Sequence, residues 1–396
     1  MGLTGSAVPS RSSVRPLIVV VAHRIDIQGQ GMERLHAFLA RSMSELYDVH
    51  LLTSWADPVT SAVATVHRVP IPARPVPLRF AMFALLASIR LIWLKKRASL
   101  IHSCGAIVFN RVDLVTIHLC QAAVVAENQG RYRPPTGSWS SRLNTGMLKW
   151  MALKLERRSL SPLRGATAAA VSEPGLAELQ KFYPDTPRAL TENGVDAELF
   201  APNHERGLAL RTSLGVPSEA KIVLAVGGDW VLRGIPLLVA ALRQLEEDVE
   251  LWIVGRGNQA LVHSLAMAEE VDGRVKMFGS RNDVADFYRA ADVFVLASAY
   301  ETFSLVLVEA ALVEVPIVST PVGIAPLLLG VPPVEGGLLV DRSVDALAAG
   351  LRTSLGDPMG AEIMAKRAAS RAVRFTLSQL EVVVRDLYVD LLEARK

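Results

Sequence analysis

A chain of 396 residues with 51% hydrophobic and 20% charged residues is too long for a single core and too apolar to be disordered, so two or three packed domains are expected. The net charge of +3, with no dense Lys/Arg block interleaved with aromatics, argues against a nucleic-acid partner. The two cysteines, Cys104 and Cys120, have neither CxxC nor zinc spacing, which fits free thiols in a reducing cytoplasm.

Residues 1–14 lack the apolar core of a signal peptide and are expected to form a loose tail. Leu17 to Ala22 (LIVVVA) reads as a buried strand, His23 to Gly31 as a turn-rich loop, and Met32 to Leu46 as a helix with apolar residues three and four apart. With the strand Val49 to Thr53 this makes a βαβ unit. Val66 to Pro77 reads as a proline-rich connection.

Pro77 to Lys96 is a strongly apolar helix ending in Lys95-Lys96-Arg97. Its longest apolar run, Phe80 to Leu94, is short for a bilayer span and is interrupted by Arg90. The helix reads first as a core helix and second as one lying on an anionic membrane face. Short strands follow at Ser99 to Ser103 and Leu114 to His118. Gln129 to Gly146 reads as a loop, followed by a helix to about Ser159, a strand at Thr167 to Val171, and a helix at Glu173 to Tyr183 opened by Ser172.

Lys221 to Val226 begins a second series: helix 234–245, strand 250–254, helix 258–270, strand 274–278, helix 283–290, the strand running from Asp292 to Ala297, and strand 316–319. Residues 343–396 are helical in pattern. The expected organisation is an N-terminal domain over 15–195, a C-terminal domain over 196–375, and a last helix, 376–396, returning to the first domain. The fold class is α/β, with two Rossmann-like domains.

Three stretches carry candidate chemistry. The stretch Ala297 to Ala310 (ASAYETFSLVLVEA) places Glu301 at the carboxyl end of a strand and Glu309 on the following helix. Ligands of open α/β sheets bind in that crevice. Eight helical residues span roughly 12 Å, so two such acids could grip both ends of a polyhydroxylated ligand. The backbone N–H groups of Phe303, Ser304 and Leu305 are anion-friendly at a helix start. A helix-dipole acid and a surface glutamate are the plainer alternative.

Gly227 and Gly228 open a second turn, in which Arg233 precedes a helix as a fixed cation for a phosphate; a plain turn with a solvated arginine is the alternative. The third stretch, Gly255-Arg256-Gly257, fits a dinucleotide fingerprint, but no acid closes the next strand, so a nicotinamide cofactor is not expected. The loop, with Arg256, can still cradle a nucleotide base. In the first half, Gly29 and Gly31 precede a helix start, and His118 ends a strand where an imidazole can bond a sugar hydroxyl. His23, Asp26 and His102 are weaker candidates. No D-x-D pair or zinc-type cluster occurs, so no metal is expected.

With Glu301 and Glu309 as an E-x7-E pair, YRAADVFVLAS before them and PIVSTPVG after them, the chain resembles the retaining nucleotide-sugar glycosyltransferases of the two-Rossmann (GT-B) type. The resemblance is to the large bacterial family that includes mannosyl- and glucosyl-transferases of cell-envelope and polysaccharide synthesis. Ser172-Glu173, Asn193-Gly-Val-Asp196 and VGGDWVLRG add to the resemblance, which spans about residues 17–375. It implies that Glu309 holds the donor ribose, Glu301 the transferred sugar, Arg233 the diphosphate, Gly29 and Gly31 the donor phosphate, and His118 the anomeric region.

The resemblance also implies metal-independent transfer with retention from a UDP- or GDP-sugar to a glycan or lipid-linked acceptor. It places such an enzyme in the cytoplasm, with a peripheral position on the inner membrane face as a further expectation. Departures from the family pattern are Gly228-Asp229-Trp230 in place of an arginine block, Ser304 in place of a glycine, Val313-Glu-Val-Pro316 in place of C-G-V-P, and Gly323-Ile-Ala-Pro326 without the usual glutamate. A non-catalytic nucleotide-sugar binder and a two-Rossmann epimerase are the alternative functions.

Overall fold

The structure, a computed structural model, describes residues 15–29, 31–127, 139–330 and 334–395. The expected tail over 1–14 lies outside them. The described residues fall into two compact units, one drawn from Met1–Thr116, Asn144–Thr167 and Val384–Lys396, the other from Ile117–Leu143 and Ala168–Val383. Both are α/β.

In the first unit Leu17–Val21 is buried along its whole length and pairs in parallel with Asp48–Thr53 on one side and Leu100–Ser103 on the other. Strands covered on both faces need continuous apolar runs, which is why LIVVV was readable. Thr65–Arg68 adds an outer strand, pairing in parallel with Asp48–Thr53. This corrects the reading of 66–77 as a connection throughout. Four residues with β-branched Thr65 and Val66 suffice at an edge, and the prolines only begin at Pro70. The helices Gly31–Met43 and Val76–Leu94 follow their expected spans closely.

A second correction concerns 129–146. Residues 129–138 lie outside the described residues, but a helix runs Trp139–Ser159, straight through Gly146. A mid-helix glycine costs only about 1 kcal/mol relative to alanine, which a long helix absorbs.

The end of the last helix, Leu377–Glu393, belongs to the first unit from Val384 onward. There the Tyr388 hydroxyl lies 2.7 Å from Nδ1 of His102, and Nε2 of the same ring lies 2.7 Å from the Thr116 hydroxyl. Arg395 pairs with Asp113 at 2.5 Å. His102 is therefore a buried structural histidine, not the sugar contact considered from sequence.

Three histidines of this unit are held neutral by burial. His102 is lowered to about 3, helped by His36; His36 is lowered to about 4; His23 is lowered to about 4, with a smaller push from Arg79. A base whose folded pKa lies below its unfolded value of about 6.5 contributes stability that is present above that pH and lost as pH falls toward the folded value. A tenfold difference in proton affinity between the folded and unfolded chain is worth about 1.4 kcal/mol. The chain is therefore expected to melt well below its neutral-pH temperature at about pH 4.5. Calorimetry at the two pH values checks this, and an unchanged transition would contradict it.

In the second unit six parallel strands run in the order Val275–Gly279, Val249–Val254, Lys221–Val226, Val293–Leu296, Ile317–Ser319, Leu338–Leu339. Successive strand residues point to opposite faces. Ile222, Leu224, Phe294 and Leu296 accordingly enter one apolar cluster, while Val223, Ala225, Val293 and Val295 enter the other. The strand order reverses between Lys221–Val226 and Val293–Leu296, and the loops carrying Gly227, Arg233 and Glu301 leave the carboxyl ends of these two strands.

Candidate active site in the second unit

The loop after Lys221–Val226 turns through Gly227, at φ +137°. A Cβ at this position would stand 2.9 Å from Nε of Arg233, so the glycine leaves the space the guanidinium fills. The next Gly-rich loop presses against it. The Gly227 N–H donates to Val254 O at 2.8 Å, and a Cβ on Gly255 would fall on the carbonyl of Gly227. Trp230, buried, donates its indole N–H to Gly227 O at 3.1 Å and lies over Gly257. Tryptophan and two glycine loops thus make a rigid floor. Beside it, Arg256 donates from Nε to Ser280 Oγ at 3.0 Å. Gly228 is open enough that an added Cβ would meet only Arg256 O, at 3.6 Å.

Arg233 reaches across to Glu301. Its Nη1 stands 2.6 Å from Oε1, off the N–H axis, so this is a charge contact rather than an aligned hydrogen bond. Ser298 donates to the same oxygen at 2.9 Å. Burial pushes the Glu301 carboxyl up, opposed by Arg233 and by the Ser298 hydrogen bond. The loop holding Glu301 is tied down on both sides. Ala299 N–H donates to Leu232 O at 3.0 Å, Thr320 hydroxyl to Ser298 O at 2.8 Å, and Arg342 Nε to Ala297 O at 3.0 Å. Arg342 brings a second cation to the strand end.

Glu309 is buried in the helix Leu305–Leu312, where the Tyr288 hydroxyl donates to its Oε2 at 2.9 Å. The helix begins four residues after Glu301, so the 12 Å expected for two acids on one helix does not apply. The intervening segment is a turn. Ser304 takes φ +83°, and its hydroxyl is buried without a hydrogen-bond partner among the described residues. Ser172 caps the helix Glu173–Phe182 and donates to Thr302 O at 2.6 Å. Gly323, at φ +54°, lies so close that a Cβ would stand 2.5 Å from Phe303 O. The Phe303 ring is core, packed edge-on against Phe375 at 5.4 Å, so only its backbone can face a ligand. Leu305 is half-buried.

The structure therefore brings together Arg233, Glu301, Gly227 and the Ser304 turn. His118 belongs to this unit too, just past the strand Leu114–Ile117, half-buried. Gly29 and Gly31 belong to the first unit. Gly29 lies in a turn whose N–H donates to Asp26 O at 3.0 Å, and a Cβ there would crowd Glu33. Gly31 opens its helix. Asp26 accepts from Gln28 N–H at 3.0 Å and Arg24 at 2.8 Å, a turn-forming role. His23 packs on Phe83 with centroids 4.1 Å apart. Tyr288 and Ser298 were legible only as the two ends of the block YRAADVFVLAS, with no role of their own, and Arg342 sits in no motif.

Residues 220–357 match the family described as "Glycosyl transferases group 1". A D-inositol 3-phosphate glycosyltransferase of Kineococcus radiotolerans is 34% identical over 243 residues, 56% of this chain and 52% of the relative. The chain spans between 34% and 54% of the length of the first curated relatives it matches. Among solved structures, sucrose-phosphate synthase from Thermosynechococcus elongatus superposes with a TM-score of 0.75 at 21% identity, covering 96% of this chain and 100% of that one. Anabaena HepE, solved in complex with UDP-glucose, gives a TM-score of 0.72 at 19% identity, covering 94% and 99%. Residues 220–357 thus match the model of the group 1 glycosyl transferases, and the chain carries the two-Rossmann α/β fold of these solved structures.

Proposed function

We propose that this chain transfers a hexose from a nucleoside diphosphate sugar, UDP- or GDP-linked, to a glycan or lipid-linked acceptor, with retention and without a metal ion. The observation that carries the reading is the 2.6 Å pair of Arg233 and Glu301 at the strand switch, above the floor of glycines and Trp230. A diphosphate entering there competes with Glu301 for the guanidinium. The exchange gives the leaving group a bidentate cation and frees Glu301 to accept sugar hydroxyls. Glu309, further along, holds the nucleotide ribose. The UDP and UDP-glucose complexes of HepE support a nucleotide-sugar donor. A reducing cytoplasm fits Cys104 and Cys120, which form no disulfide among the described residues.

The experiment is a thermal-shift screen with UDP-, GDP- and ADP-sugars, followed by release of free nucleotide with and without acceptors. Glu309→Ala is expected to weaken nucleotide binding about 10- to 100-fold, the loss of hydrogen bonds to a charged group. Glu301→Ala is expected to keep most nucleotide binding and to lower transfer. Parent-like binding and turnover in both variants would remove these assignments. One observation favours a second reading, a nucleotide-sugar binder without turnover: the left-handed Ser304, whose side chain occupies the turn beside Glu301. Tight donor binding with no turnover against any acceptor would select it.

A further inference from the structure

The helix Val76–Leu94 is long and apolar enough to span a membrane, yet it is packed into the first unit through one face only. Phe83, Ala84, Ala87 and Leu91 are buried. At 100° per residue, Leu78, Met82, Leu85, Ile89, Ile92 and Trp93 fall within an arc of about 100° on the opposite side. Of these, Leu78, Leu85, Ile89 and Ile92 are 47–55% exposed and Trp93 is 70% exposed. A surface helix ordinarily turns polar residues outward. This one turns an apolar stripe outward, which corrects the first reading of it as a core helix.

The surroundings of the stripe are cationic. Between Asp57 and Asp113 there is no Asp or Glu and there are eight Lys or Arg. Arg79 and Arg90 border the stripe, and Lys95, Lys96 and Arg97 close it, with the Lys96 ammonium over the Trp93 ring at 5.5 Å. A second exposed cluster adjoins the helix through the buried Ser88. Ser88 Oγ accepts the N–H of Phe109 at 2.8 Å, and Phe109 O accepts from Arg164 at 2.8 Å and from Arg158 at 3.3 Å. Burial first, and then the charges of Arg158 and Arg111, lower the Arg164 pKa, so three guanidinium groups gather here. Phe109 is exposed, and Leu163, beside Arg164, is 93% exposed. Asp113, which ends the acid-free stretch of sequence, is held by Arg395 and by the Ile101 N–H.

We propose that this face of the first unit docks on an anionic lipid bilayer, the stripe and Leu163 entering the headgroup boundary while the arginines and lysines hold lipid phosphates. Apolar side chains with flanking tryptophan and a cationic rim are what an interfacial helix requires. A second copy of this chain is a poorer occupant, because a two-fold contact would set the cationic rims against each other.

The test is flotation of the full chain with phosphatidylcholine vesicles with and without phosphatidylglycerol. Co-flotation with the anionic vesicles is expected at about 0.01 M salt, and loss of it at about 0.5 M, where the screening length falls below 10 Å. Ile89→Glu with Trp93→Glu, both at exposed positions, is expected to reduce vesicle binding at least about tenfold with the melting temperature unchanged. Lys95→Ala, Lys96→Ala and Arg97→Ala together are expected to reduce it by a similar factor, and serve as the independent variant should the first misfold. Absence of the wild type from anionic vesicles at low salt would overturn the proposal. So would undiminished flotation of the folded variants, or sedimentation showing a dimer that the Ile89/Trp93 variant dissociates and that does not bind vesicles.

Discussion

Arg233→Ala is expected to lower glycosyl transfer about 10²- to 10³-fold, the range for removing one preorganised group from a developing charge. The side chain is half-buried on the Gly227 floor, so alanine removes the cation without disturbing core packing. Charge on the leaving diphosphate grows as the glycosidic bond breaks. The loss should therefore fall more on kcat than on KM. Arg233→Lys is expected to recover part of the rate, since a point charge replaces a planar fork. Steady-state kinetics against donor concentration read all three enzymes. A rate within about threefold of the parent in the alanine variant, well short of the 1.4 kcal/mol that makes a factor of ten, would remove Arg233 from the diphosphate site.

Gly234→Val is expected to destabilise the second unit by about 3 kcal/mol or more, at the upper end of single substitutions. Two costs combine. Gly234 sits at φ +74°, where a side chain costs roughly 1–2 kcal/mol. A Cβ there would also fall on the carbonyl of Ala297, with the Ala297 Cβ 2.8 Å away. The helix Ile235–Leu242 and the Glu301 loop must then separate. Gly215→Ala is the control: it shares the left-handed backbone, at φ +66°, but has open space around it, so it should lose only the first cost. Denaturant unfolding of both variants decides it, and equal losses would mean that the close approach to Ala297 carries no energy.

The regular elements were legible because parallel strands buried on both faces are written as continuous apolar runs, such as LIVVV and VFVL, with helices between them. Arg233 and Glu301, which the structure brings together, were legible as candidates because they follow strand ends, where open α/β sheets bind ligands. What escaped is long-range or conformational. Nothing local says that Ser172 bonds Thr302, 130 residues on, or that Tyr288 bonds Glu309. The left-handed Ser304 is invisible in a residue string, since serine there breaks the usual preference for glycine. For Val76–Leu94 the sequence left a core helix and a helix on a membrane face both open, because periodicity marks two apolar faces but not which one is covered.

The pairing of His102 with Tyr388 has a consequence for how the chain is made. Strand Leu100–Ser103 emerges from the ribosome early, while the hydroxyl that meets its buried imidazole, and Arg395, which engages Asp113, come at the far end of the chain. The first unit thus cannot finish its interior before the second unit has been translated. Its completion comes late even though most of its residues are made first.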